Sequence, residues 1–205
     1  MTLAPSDILL TDRVAVVTGG GTGIGRGIAD GLARFGATVA IWERNADTCA
    51  ATADELGVLG IVADVRDSEQ VDAALERTRA ERGPVSILVN NAGGVFASPL
   101  LDTTENGWDA LYRTNLRHVL LCTQRVARQL VNDDRGGSVI SLTSIEGVRA
   151  APEYAAYSAA KAGVIKLHSH GGFRAGAVRH QGQRDRARHH DHRRPEGAFP
   201  AGYPA

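Results

Sequence analysis

The chain predicts an α/β fold, a parallel sheet covered by helices on both faces. Three observations predict it. Short, wholly apolar, β-branched runs recur along the chain, and strands buried on both faces read that way. Segments of helical length and period alternate with them, the connection that parallel strands require. A glycine-rich turn, Thr18-Gly-Gly-Gly-Thr-Gly-Ile-Gly25, separates the first apolar run from the first helix.

The elements follow in order. Arg13–Thr18 is the first strand. Ile24–Phe35 is a helix, because Ile24, Ile28, Leu32 and Phe35 share one face, and Gly36 ends it. Thr38–Trp42 is the second strand, Ala46–Leu56 a helix and Val58–Ala63 the third strand. Ser68–Arg82 is an amphipathic helix closed by Gly83-Pro84, and Val85–Val89 is strand four. A long helix is expected from Glu105 to Val131, a turn at Gly136-Gly137, and strand five at Ser138–Leu142. The next helix begins near Glu153 and carries Tyr157 and Lys161.

A length of 205 residues suits one domain with a buried core. The formal net charge is zero, which gives no global case for nucleic acid. Cys49 and Cys122 form no C-x-x-C and read as reduced thiols, so a cytoplasmic protein is expected. No signal peptide is visible, and no apolar stretch approaches the roughly eighteen residues of a membrane span.

The glycine-rich turn has a chemical reading. A dinucleotide pyrophosphate must approach backbone N–H groups at a helix N-terminus, and side chains would block it. Gly19, Gly23 and Gly25 supply that spacing after a strand and before a helix, with Thr22 and Ile24 in the same turn. Glu43, at the end of strand two, can accept both ribose hydroxyls of NAD and repels a 2′-phosphate. Arg44 could pair with that phosphate or be a solvated charge. The carboxylate argument favours NAD over NADP.

Tyr157 and Lys161 are four residues apart and share one helical face. A phenol beside an ammonium is a proton-transfer device, since the positive charge favours the phenolate. Ser144 stands thirteen residues earlier, just past an apolar strand, where it could hold a substrate oxygen in line with Tyr157. Singly, each has a bland alternative: Ser144 as a cap, Asn115 as buried structure, Tyr157 as a packed aromatic. Glu146 and Tyr154 could line a substrate pocket or lie on the surface, and His118 reads as an ordinary helix residue.

In combination, the glycine turn, Asn90-Asn91-Ala92-Gly93, Asn115, Ser144 and the Tyr157/Lys161 pair resemble the short-chain dehydrogenase/reductase family over about Asp12 to Leu167. The resemblance implies a doubly wound Rossmann-type sheet, of strand order 3-2-1-4-5. It implies hydride transfer between a nicotinamide and a secondary alcohol or ketone, by an enzyme that is a homodimer or homotetramer. It assigns Asp64 to the adenine through its side chain and Val65 through its backbone; Asp64 read alone could be a helix cap. It makes Asn91, Ala92 and Gly93 a turn packed on the cofactor. It gives Lys161 the nicotinamide ribose and gives Asn115 a water linking Lys161 to solvent. No metal is expected.

From His168 onward the text changes. Residues 168–205 hold seven arginines, three acids and six of the seven histidines, with no Ile, Leu or Met. A metal site at His189, His190 and His192, a nucleic-acid arm and a disordered end are alternatives. The favoured reading is a frameshift after Leu167. Shifted by one base, codons permitted for His168 to Arg194 can encode a V-N-A-I-A-P strand that continues the family pattern. The expected units are therefore 1–167, a dinucleotide-binding domain with the catalytic residues, and 168–205, an aberrant tail. A remnant that at most binds the dinucleotide is the alternative function.

Overall fold

The computed structural model describes residues 8–170. Its elements are β1 (Val14–Thr18), α1 (Gly23–Arg34), β2 (Thr38–Glu43), α2 (Ala46–Leu56), β3 (Leu59–Val62), α3 (Ser68–Arg82) and β4 (Val85–Asn90). They continue with α4 (Glu105–Tyr112), α5 (His118–Asn132), β5 (Ser138–Ser141) and α6 (Ala155–His170). The described strands form one parallel sheet of order β3-β2-β1-β4-β5. This is the doubly wound arrangement expected, and the frameshift reading concerns a tail that lies, beyond the end of α6, outside the described residues.

The alternation of side chains along the strands divides the core in two. Val14, Val16, Ala40 and Trp42 point to the face covered by Val71, Ala74 and Leu75 of α3 and Cys122, Val126 and Leu130 of α5. Ala15, Val17, Val39 and Ile41 point to the other face, against Ala29 of α1 and Cys49 of α2. Trp42 is 1 % exposed, and its indole N–H donates to Thr78 Oγ1 at 3.1 Å. Truncating it to alanine would cost about 3–5 kcal/mol.

Helix ends obey their local chemistry. Asn45 caps α2 by accepting from the Thr48 N–H, and Gly57 ends it at φ 65°. Asp67, not Asp64, caps α3 by accepting from Glu69 and Gln70. Asp64 is thereby freed from the capping role its sequence position allowed.

The expected single helix from Glu105 to Val131 is interrupted. Residues Arg113–Arg117 form a π-turn, which adds one residue to the helical repeat and turns Asn115 inward. Among the described residues no helix is long and apolar enough to cross a membrane.

Parallel pairing brings the C-terminal ends of all five strands to one edge: Thr18 beside Trp42, Glu43 beside Val62, and Asn90 beside Ser141. The strand order reverses between β1 and β4. That is where an open α/β sheet leaves a crevice for a ligand.

Candidate active site

The loop between β1 and α1 is held by its neighbours. Thr18 is fully buried; its hydroxyl donates to the Val89 carbonyl at 3.3 Å and accepts from the N–H groups of Asn91 and Ala92. The Asn91 carboxamide donates to the carbonyl oxygens of Thr18 and Gly19, both at 3.0 Å. Gly19 takes φ +62°, and a Cβ on Gly25 would lie 2.2 Å from the Gly19 oxygen. Gly23 differs: it has φ +54° and nothing within 4 Å of where its Cβ would sit. The loop is therefore closed behind Gly19 and Gly25 and open at Gly23, the first residue of α1, where a helix leaves backbone N–H groups without intrahelical partners.

A cavity of about 400 Å³ lies over this loop. Of the expected dinucleotide residues, Tyr157 and Lys161 are not in its wall, and the rest line it: Gly19, Thr22, Gly23, Ile24, Gly25, Glu43, Asp64, Val65, Asn91, Ala92 and Gly93. These come from the ends of four different strands. The glycines and small residues fit a dinucleotide, since they leave the loop backbone accessible. The Glu43 carboxylate is fixed at the wall, accepting from the Gly21 N–H at 3.3 Å and the Asn45 N–H at 3.1 Å. Arg44 lines the same wall and is exposed.

Trp42, Ala63, Arg66 and Thr114 also line the cavity, and none was singled out from the sequence. Ala63 extends a strand end already recognised. Arg66 has no residue-type signal. Its guanidinium grips Asp64 through Nε and Nη2, the latter at 2.5 Å. The arginine's hydrogen bonds and charge hold the Asp64 carboxyl below its ordinary range.

The expected catalytic residues gather next to the cavity rather than in its wall. Lys161 is 6 % exposed, and its ammonium donates to the Leu142 carbonyl at 2.9 Å. It lies 5.8 Å from the centre of the Tyr157 ring, as the four-residue spacing required. Burial pushes its pKa down from the ordinary lysine value. The Thr143 hydroxyl donates to the Lys161 carbonyl at 2.9 Å, pinning the strand-five end to α6. Ser144 is half-buried and opens the turn Ile145–Gly147, its hydroxyl accepting from the Glu146 N–H at 3.2 Å.

Asn115 is fully buried. Its amide donates to Gly94 O at 2.8 Å and its oxygen accepts from Gly94 N–H at 3.2 Å. A Cβ on Gly93 would lie 3.0 Å from that Asn115 oxygen and 3.7 Å from Lys161 Nζ. Gly93 therefore joins the cavity to the Lys161 side.

Other residues take lesser positions. Glu146 is ion-paired with Arg149 at 2.5 Å. Tyr154 forms a bridge with Ser98. His118 is fully buried, and among the described residues its ring makes no hydrogen bond of good geometry, the Thr114 carbonyl raising its pKa less than burial lowers it. Burial, with a smaller push from the Lys161 charge, lowers its pKa to about 4, so it is a neutral imidazole.

Comparison with known proteins agrees with this fold. A family model described as short chain dehydrogenase matches residues 13–175. A 3-oxoacyl-(acyl-carrier-protein) reductase of Chlamydia muridarum is 36% identical over 163 residues, covering 77% of this chain and 65% of the reductase. A sorbitol dehydrogenase of Cereibacter sphaeroides is 35% identical over 166 residues, covering 80% of this chain and 65% of that protein. The chain thus spans slightly less than two thirds of the length of these relatives. A crystal structure of a short chain dehydrogenase from Mycobacterium smegmatis superimposes with a TM-score of 0.76 at 35% identity, over 78% of this chain and 70% of that one.

Proposed function

Because the chain belongs to the short-chain dehydrogenase family, we propose that it is an NAD-dependent oxidoreductase acting on a secondary alcohol or the matching ketone. One observation carries the reading. Eleven residues chosen for dinucleotide chemistry, from four strand ends, line a single cavity. The relatives' names support the substrate class: one names a polyol, the other an acyl chain that carries an oxo group at its third carbon.

The bound nicotinamide would supply hydride acceptance or donation. The chain's own residues do the rest. Gly19, Gly23 and Gly25 present backbone to the pyrophosphate, and Glu43 accepts from the ribose hydroxyls. Asp64 and Val65 flank the base, while Asn91, Ala92 and Gly93 carry the far side. Tyr157 exchanges the hydroxyl proton of the substrate, Lys161 lies beside its ring, and Ser144 orients the substrate oxygen. Asn115 holds the Gly94 backbone and with it the turn against Lys161.

Glu43 supports NAD rather than NADP. A cytoplasmic site suits the two buried thiols, of which Cys122 is pushed up to about 12 by burial and is unreactive. Self-association as a homodimer or homotetramer is supported by exposed Trp108, Tyr112 and Leu120 along α4 and α5. The frameshift reading of residues 168–205 stands as a proposal, tested by the coding DNA around codons 165–169.

The test is paired. NADH titration reads binding, and nicotinamide absorbance with a panel of secondary alcohols and ketones reads turnover. Binding with turnover supports the enzyme. Binding with no turnover on any substrate supports the binding-only remnant. No binding removes both.

A further inference from the structure

We infer that Glu153 is a positioning residue: its left-handed backbone clamps the start of α6 to Ser98 and so sets Tyr157 relative to the cofactor turn. The inference rests on the oxidoreductase reading of the site.

Backbone conformation singles Glu153 out. Among the described residues, three other than glycine take a positive φ: Asp12 at 63°, Asp134 at 50° and Glu153 at 66°. The two aspartates belong to a type that visits this region, since a short polar side chain can hydrogen-bond locally. Glutamate is not of that type, and Glu153 is exposed. Such a conformation persists where the surrounding structure over-determines it, and it recurs at functional sites.

The surrounding structure is a clamp between two segments. The Ser98 N–H donates to the Glu153 carbonyl at 2.6 Å, and Ser98 and Tyr154 form a parallel bridge. On the helix side, Tyr154 directly precedes α6, and its carbonyl accepts from the Ser158 N–H at 2.8 Å. Tyr157 lies within that first turn.

On the other side, Ser98 is braced by its own loop. Its hydroxyl lies 2.7 Å from Thr103 Oγ1, and the Thr103 hydroxyl donates to the Pro99 carbonyl at 2.8 Å. Earlier in the same loop, Gly94 is held by both polar atoms of the Asn115 carboxamide. Gly94 directly follows Asn91, Ala92 and Gly93, which line the dinucleotide cavity. One continuous segment thus joins the cofactor turn to the first turn of the helix that carries Tyr157, and Glu153 closes it.

Hydride transfer and proton exchange need the nicotinamide and the phenol aligned on one substrate. A misplacement of about 1 Å can cost about a hundredfold in rate. The Glu153 carbonyl makes the clamp, so its carboxylate is dispensable and its φ is not. Glycine adopts that φ freely, whereas a β-branched residue there is a severe outlier.

Steady-state kinetics of the full chain test this, with the secondary alcohol or ketone that the unaltered protein turns over fastest. Glu153→Gly should keep kcat within about twofold of the parent. Glu153→Val should lower kcat about tenfold to a hundredfold. Its NADH dissociation constant should stay within about twofold, because no residue of the cavity wall is altered. Ser98→Pro removes the same hydrogen bond from the donor side and should reproduce that split. Circular dichroism and the melting midpoint establish that each variant is folded; if Glu153→Val is not, Ser98→Pro decides. A kcat of either clamp-breaking variant within about twofold of the parent overturns the inference. So does a loss in Glu153→Gly as large as that in Glu153→Val, which would assign the effect to the carboxylate. An equal loss of NADH affinity and kcat also overturns it, because the clamp would then support the whole site and not Tyr157. If the unaltered protein binds NADH but turns nothing over, the enzyme reading itself fails and this inference falls with it.

Discussion

The Asn91 carboxamide donates to the Gly19 carbonyl at 3.0 Å, and together the two atoms close the space behind Gly25. A Cβ there would stand 2.2 Å from the Gly19 oxygen and 2.4 Å from Asn91 Nδ2. Neither can withdraw without breaking the tie between β1 and β4.

Gly25→Ala should therefore abolish dinucleotide binding and destabilise the fold by about 1–3 kcal/mol or more through overpacking. Asn91→Ala should cost about 1–3 kcal/mol, since it leaves two carbonyls short of a partner. Urea midpoints and NADH titration measure both. A Gly25→Ala protein that binds normally would show that the loop is not the phosphate site.

Tyr157→Phe should reduce turnover by about 10²–10⁴-fold, the range lost with a general acid–base group. Its dinucleotide affinity should stay within a few-fold of the parent. Lys161→Met should lower both, because Lys161 is buried beside Gly93 as well as beside the Tyr157 ring. Steady-state kinetics and direct binding separate the cases. Equal loss of affinity in the two variants would place Tyr157 in cofactor binding instead.

Glu43→Asn should shift cofactor preference. The carboxylate is held in the cavity wall by two backbone N–H groups, so it cannot swing away from a 2′-phosphate. The parent should favour NAD over NADP by at least about tenfold, as unpaired like charges at a binding surface cost several kcal/mol. The variant should narrow that ratio about tenfold or more. An NADP preference in the parent would mean that Arg44 outweighs Glu43.

His118 predicts an acid-side loss of stability. Its folded pKa of about 4 lies below the ordinary histidine value of 6.5, so the unfolded chain binds the extra proton first. Its contribution is present above pH 6.5 and is lost as pH falls toward 4. Complete loss amounts to about 3 kcal/mol. Asp64, Asp67 and Asp72, also lowered, act below that window. His118→Leu should flatten the dependence between pH 6.5 and 4, so any stability deficit it shows at pH 7.5 should shrink at pH 5. Denaturant midpoints at pH 5 and 7.5 compare the two. An unchanged pH dependence in the variant would assign it to other groups.

The sheet and the glycine-rich loop were legible because their constraints act on residue type. Gly19 takes a left-handed φ and Gly25 has no room for a Cβ, and apolar β-branched runs fill a sheet covered on both faces. The Tyr157/Lys161 pairing was legible because helical spacing alone brings the two together. The π-turn at Arg113–Arg117 was not, since a shift in backbone hydrogen bonding needs no particular side chain. Arg66 was not either. It reads as one more surface charge until β2–β3 pairing sets Asp64 and the residues after it at the cavity. The burial of His118 was likewise hidden, because a polar residue on an amphipathic helix gives no sign of facing the core.

Direct titration of NADH into the unaltered chain, read by energy transfer from tryptophan to the nicotinamide, tests the central claim most directly. The account predicts saturable binding in the micromolar range, at least about tenfold tighter than NADPH, and lost in Gly25→Ala. A flat titration, or a signal that survives Gly25→Ala undiminished, would contradict it.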